Sequence, residues 1–246
     1  MMNRLSSFSD NQKSLILSLN LSSFFFVFFF FTYCFFYEFY DWFSYEETSV
    51  VELSTFLMYL FSGIVLLYFS FQQIRGGKKW TKFFFYILLG LVFLFVAGEE
   101  ISWGQSFLRF ATPKIVERIN EQDEINIHNL IFFYKKFLWF DFWADAFVFG
   151  LGVFLPLVYL FSKRIRNILT RFNFPILPKS CIPFFLTGFF YSYGLSLTKI
   201  IAYTELLEQK EFFIGLGFTF YGLHILSRVN NETGRYSDTQ TDEIRK

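Results

Sequence analysis

Two adjacent carboxylates at the end of a long apolar run are the residues of this chain best suited to chemistry. They are Glu99 and Glu100, in the stretch Gly98-Glu99-Glu100-Ile101-Ser102-Trp103-Gly104-Gln105. The run that leads to them from Phe83 is long enough to lie in lipid. There a charge costs about 2.5–3.5 kcal/mol near mid-bilayer and less toward the interface. Acids kept in such a place serve as acid and base, as ligands, or as partners of an internal cation. If the helix continues, Glu99 lies near Ser102, and Glu100 near Trp103 and Gly104. The two acids then point about 100° apart, so at least one faces the interior of a bundle.

A second polar stretch follows, Asn120-Glu121-Gln122-Asp123-Glu124-Ile125-Asn126-Ile127-His128-Asn129. On a helix Glu124 and His128 share a face, as do Gln122 and Asn126. His128 is then a candidate metal ligand or general base, with Glu124 as its acidic partner. Asn120, Gln122, Asn126 and Asn129, with Ser102, Trp103 and Gln105, are candidate substrate contacts. Thr112-Pro113 suits a helix start, with Thr as cap and Pro in the first turn. Three other segments place ionisable groups at the same level: Glu52, Asp141 with Asp145, and Lys199, which precedes Glu205. Glu52 and Lys199 join the candidate substrate contacts. Glu99, Glu100 and His128 could together hold a divalent metal such as Mg²⁺, Mn²⁺ or Zn²⁺. The competing reading is structural. Glu99 or Glu100 could pair with Lys199 to fix helix packing, Asp141 and Asp145 could do likewise, and Trp103, Trp139 and Trp143 could be interface-belt aromatics.

The elements that must position these groups are membrane spans. The chain has 246 residues, of which 54% are hydrophobic and 42 are Phe. Its net charge of +1 argues against an electrostatic nucleic-acid binder. Six segments are long and apolar enough to cross a membrane, at 15–37, 51–73, 83–110, 139–162, 181–204 and 211–228. The first reads as a retained span, since no small-residue cleavage site follows it. The third outruns a bilayer, so Gly104 to Phe110 should project from it as helix. The chain must reverse between the fifth and sixth, at Glu205 to Lys210, because one helix through both would be roughly 70 Å long. Arg75, Lys78, Lys79 and Lys82, then Lys163, Arg164, Arg166 and Arg171, crowd one set of ends. Glu38, Asp41, Glu46, Glu47, Glu205, Glu208 and Glu211 crowd the other. By the positive-inside rule both termini are cytoplasmic and the acidic loops lie outside.

The fold expected is therefore all-α: a polytopic transmembrane helical bundle over 1–228, with an extracytoplasmic interfacial segment at 111–138 and a polar, flexible tail at 229–246. The location expected is a bacterial cytoplasmic (inner) membrane. Cys34 and Cys181 fall at opposite ends of the bundle and form no disulfide framework.

The same residues carry a resemblance. Glu47 and Glu52, then Gly98 to Gln105, then Thr112-Pro113, then the N-x-Q-x-E-x-N-x-H-N pattern from Asn120 to Asn129 resemble the signature of an uncharacterised family of bacterial polytopic membrane proteins. The resemblance covers roughly a third of the chain and implies a shared architecture, with no activity attached. A looser similarity is to alkaline ceramidase and progestin-receptor-like membrane hydrolases, which also carry an acidic pair in a span. Those enzymes share a three-histidine zinc site with H-x-x-x-H in a late span, where this chain has His224 alone.

Three functions follow as expectations. The first is a membrane enzyme acting on a lipid or lipid-linked substrate through Glu99, Glu100, Glu124 and His128. The second is a non-catalytic scaffold whose polar loop docks a partner. The third is a small transporter or ion-binding protein, against which the one-ended distribution of charge counts.

Overall fold

The structure is a computed structural model that describes residues 2–44, 49–108, 110–117, 125, 138–198 and 206–244. Among these residues the chain is helical and has no strand. In chain order the helices are α1 (Met2–Phe35), α2 (Tyr37–Ser44), α3 (Val50–Arg75), α4 (Phe84–Glu100), α5 (Gln105–Leu108) and α6 (Lys114–Glu117). There follow α7 (Leu138–Phe149), α8 (Leu155–Phe161), α9 (Lys163–Arg171), α10 (Ile182–Phe189), α11 (Leu195–Leu197) and α12 (Leu207–Ile244). Single π-helical turns, Gly150–Phe154 and Phe190–Gly194, join α7 to α8 and α10 to α11.

Five helical stretches are long and apolar enough to cross a membrane: Gln12–Phe35, Val50–Arg75, Trp80–Glu100, Phe142–Phe161 and Leu207–Val229. This is a multi-pass membrane protein. The segment expected as the fifth of six spans is helical from Ile182 to Leu197, and residues 199–204 lie outside the described set. Two expected borders move. The third span ends as a helix at Glu100, and after a break at Ser102–Gly104 the chain resumes as the short helix Gln105–Leu108 instead of continuing unbroken. The last begins at Leu207, so Glu208 and Lys210 belong to its first turn instead of to a reversal. Acids in a first turn suit the positive end of the helix dipole. The last helix also runs through the polar stretch 229–244.

α3 lies at the centre, packed along both α4 and α12, and α10 packs on the other side of α12 and against α1. Ser49 opens α3 as its cap, accepting from the Glu52 N–H at 3.1 Å in a Ser-x-x-Glu capping sequence. The core is a ladder of rings. Tyr59, Phe93, Phe185 and Phe218 meet between α3, α4, α10 and α12. Phe29, Tyr191, Phe212 and Phe213 form a second layer against α1. Phe185 is fully buried where two glycines make room. A Cβ on Gly152 would come within 2.3 Å of its ring, and one on Gly217 within 2.5 Å. Two crossing helices can therefore close on one phenyl ring only because neither carries a side chain there.

Candidate functional site

The helix that delivers the acidic pair stops immediately after it. Ser102 and Trp103 take left-handed backbone angles (φ 45° and 55°), and Gly104 follows at φ 83°. Two consecutive non-glycine residues in that region are costly and persist only where their surroundings enforce them. The surroundings are visible. The turn folds the Trp103 indole back over α4, onto the bare backbone of Gly98, where an added Cβ would lie 2.8 Å from the ring. Phe95 meets the indole edge-on at 5.6 Å between centroids. In that position the indole Nε1–H donates to Glu99 Oε1 at 2.6 Å. Gly98, Glu99, Trp103 and Gly104 thus form one device: a platform, an acceptor, a donor and the residue that lets the chain leave.

This corrects the expectation drawn from helical spacing. Trp103 bonds to Glu99, four residues back, where the expectation sets it beside Glu100, three residues back. Glu99 is 7% exposed and bonded within its own segment. Glu100 has a different neighbourhood. Glu52 at the start of α3, Glu99, and Glu208 and Glu211 in the first turns of α12 all lie within electrostatic reach of its carboxyl. Three helices therefore bring five glutamates to one end of the bundle. The buried Tyr59 ring, two turns below Glu52 on α3, feels Glu100, Glu211 and Asp145 and connects this cluster to its neighbour.

The neighbour is an ion pair. Lys210 Nζ donates to both oxygens of Asp145, at 3.0 and 3.1 Å, and the Tyr193 hydroxyl donates to the same carboxylate. The lysine is buried, and its ammonium also stands over the Tyr193 ring at 6.0 Å from the centroid. The π-helical turn at Phe190–Gly194 contains Tyr193, so an irregular helix supplies the group that completes the pair. Asp145, expected to be structural, is therefore a packing residue that ties α7 to α12.

Gln105 acts within the chain as well. Its amide nitrogen donates to Thr112 Oγ1 at 2.6 Å, and its carbonyl accepts from the Ile125 N–H at 2.7 Å. It binds two points of the loop that follows to the helix break, which is a positioning role. Ser102 is buried in the break itself, and Glu52 sits at the capped start of α3 beside the cluster.

Asn120, Gln122, Glu124, Asn126, His128, Asn129 and Lys199 lie outside the described residues, as do Glu47 and Glu205. Among the described residues no three histidine, cysteine, aspartate or glutamate side chains are disposed to share one metal ion. Of the expected metal set, Glu99 and Glu100 are described and His128 is not. Glu208, Glu211, Lys210, Tyr59 and Tyr193 were not among the residues the sequence singled out as site groups. The i,i+3 spacing of Glu208 and Glu211 was the one signal available for two of them. No protein-family model, curated protein or solved structure matches the chain.

Proposed function

We propose that this protein is a membrane-embedded enzyme that performs acid/base chemistry on a lipid or lipid-linked substrate at the acidic end of its bundle. The observation that carries the reading is the convergence of Glu52, Glu99, Glu100, Glu208 and Glu211 from three helices around Glu100. Like charges so placed, with little water, need protons or a cation among them. A set of carboxylates that shares protons can hand one to a leaving group and take one from water. Glu100 is the proposed proton-transfer group. Glu99 is fixed by Trp103 and orients the turn, and Glu124 and His128 join on their sequence pattern alone. In the metal-dependent form of this reading, Glu99, Glu100 and His128 hold a divalent ion that activates water. A substrate that arrives through the bilayer fits a site at the end of apolar spans. The topology proposed is six spans with both termini cytoplasmic, in a bacterial inner membrane, so that the acidic end faces outward.

The scaffold reading has its own support. The Lys210–Asp145 pair uses an acid to tie α7 to α12, and the Trp103–Glu99 bond uses one to fix the turn that ends α4.

One experiment separates them. Purified protein and its Glu100→Gln and His128→Ala variants are incubated with vesicles of a bacterial total lipid extract. Lipid products are read by mass spectrometry, and bound metal by elemental analysis. Turnover by the wild type that disappears in Glu100→Gln supports the enzyme. Stoichiometric metal lost in both variants supports its metal-dependent form. Lipid profiles that match the protein-free vesicles in every arm would sink the enzyme reading and leave the scaffold.

A further inference from the structure

At the opposite end of the bundle, α9 is an amphipathic helix that the described residues leave largely uncovered. It follows the Phe142–Phe161 span after a break at Ser162, whose hydroxyl caps it by accepting from the Ile165 N–H. Ile165, Ile168 and Leu169 sit three and four residues apart and share one face, while Lys163, Asn167, Thr170 and Arg171 occupy the other. Arg164 and Arg166 flank the boundary. None of its nine residues is buried. On that face Ile168 is 47% exposed, and the face continues at both ends into exposed rings, Phe161 at 84% and Phe172 at 60%.

The helix is nonetheless held in place. The Arg166 guanidinium donates to the carbonyls of Tyr159 and Leu160 at 3.0 and 2.6 Å, which fixes α9 against the end of α8. Beyond its far end, Asn173 takes a left-handed turn (φ 49°), and its amide donates to the Lys82 carbonyl at 2.8 Å. That bond sets α9 beside the turn between α3 and α4, which carries Arg75, Lys78, Lys79, the exposed Trp80 and Lys82. A span that ends at Phe161 leaves the next nine residues at the depth of the lipid headgroups. There an apolar stripe faces the acyl chains and the basic groups face phosphates.

We propose that α9, with the Arg75–Lys82 turn beside it, is a docking surface for anionic phospholipid headgroups of the leaflet at the basic end. The charge is complementary, the apolar face needs a non-aqueous cover, and the Arg166 and Asn173 bonds hold the surface ready. A polybasic surface gains about fivefold in lipid affinity per basic residue, so removing three charges lowers that affinity by up to about a hundredfold.

The test uses the full chain in nanodiscs of phosphatidylcholine with or without phosphatidylglycerol. Lipids that stay bound after transfer to detergent are counted by native mass spectrometry. The wild type should retain phosphatidylglycerol over phosphatidylcholine, and inorganic phosphate should not displace it. Replacing Lys163, Arg164 and Arg171 together by Gln should lower that preference by at least about tenfold, whereas Arg164→Lys with Arg171→Lys should keep it. Arg166 stays untouched because it anchors α9. A second measurement guards against misfolding. Cysteines at Ile168, Phe172 or Asn167, in a Cys34→Ser background, carry a fluorophore read against bromolipid quenchers. Quenching at positions 168 and 172 but not at 167 is expected. Equal quenching at all three positions, or a lipid preference unchanged in the triple Gln variant, overturns the proposal. So does displacement by free phosphate.

Discussion

Replacing Trp103 by Phe isolates the bond on which the helix break depends. The substitution keeps an aromatic ring over Gly98 and beside Phe95, and removes only the Nε1–H that Glu99 accepts at 2.6 Å. Two magnitudes compete. Hydrogen bonds to charged groups contribute about 1.5–3 kcal/mol in soluble proteins. Polar pairs inside membranes average only about 0.6 and reach about 1.7, because the unfolded reference state also finds partners. Glu99 is 7% exposed and faces protein rather than lipid, and the bond is short, so the upper part of the second range applies. The expected coupling energy between Trp103→Phe and Glu99→Gln, in a double-mutant cycle of reversible unfolding in mixed micelles, is about 1–1.7 kcal/mol. Gly98→Ala should reproduce the loss by a different route. Its Cβ would enter the indole at 2.8 Å and push it off the acid, so the change should cost little once Trp103 is already a smaller residue. A coupling below about 0.3 kcal/mol, within the scatter of independent sites, would refute the claim that this bond holds the turn.

Two other perturbations probe the walls of the site. Lys210→Met leaves the Asp145 carboxylate without its buried cation and should destabilise by about 3–5 kcal/mol; pairing it with Asp145→Asn should recover much of that, read by the same unfolding assay. Full additivity of the two changes would show that the pair is not coupled. Gly217→Ala places a methyl 2.5 Å from the Phe185 ring and should cost about 1–3 kcal/mol, with Phe185→Leu as suppressor, read by loss of thermal stability in detergent. An unchanged melting temperature would contradict the tight crossing of α10 and α12.

Much of the architecture is readable from composition because lipid permits few solutions: an apolar run of sufficient length must be helical, and its ends must be polar. That logic places α3 within two residues and finds α1, α4 and α12 with one border each well off, and it identifies both the acidic and the basic end. It fails where side chains override helical continuation. Nothing in the spacing of Glu99, Glu100 and Trp103 says that the helix ends between them, because the cause is Gly98, whose missing side chain admits the indole four residues after Glu99. Helical spacing alone leaves Trp103 within reach of both acids, at i+4 from Glu99 and i+3 from Glu100, and does not choose between them.

The convergence on Glu100 was beyond reach for a different reason. Glu52, Glu100 and Glu211 are separated by scores of residues, and only the packing of α3 between α4 and α12 sets them side by side. Each alone has an ordinary explanation, as a capping-box acid, a span-end acid or a first-turn acid favoured by the dipole. Their shared location does not. A helix end tolerates one carboxylate readily. Three helix ends that set theirs within electrostatic reach of Glu100, while Lys210 is already engaged by Asp145, concentrate negative charge where packing alone would disperse it. Stability therefore gives a reason for each acid but none for the set, and the set is what a proton-handling or cation-binding role requires.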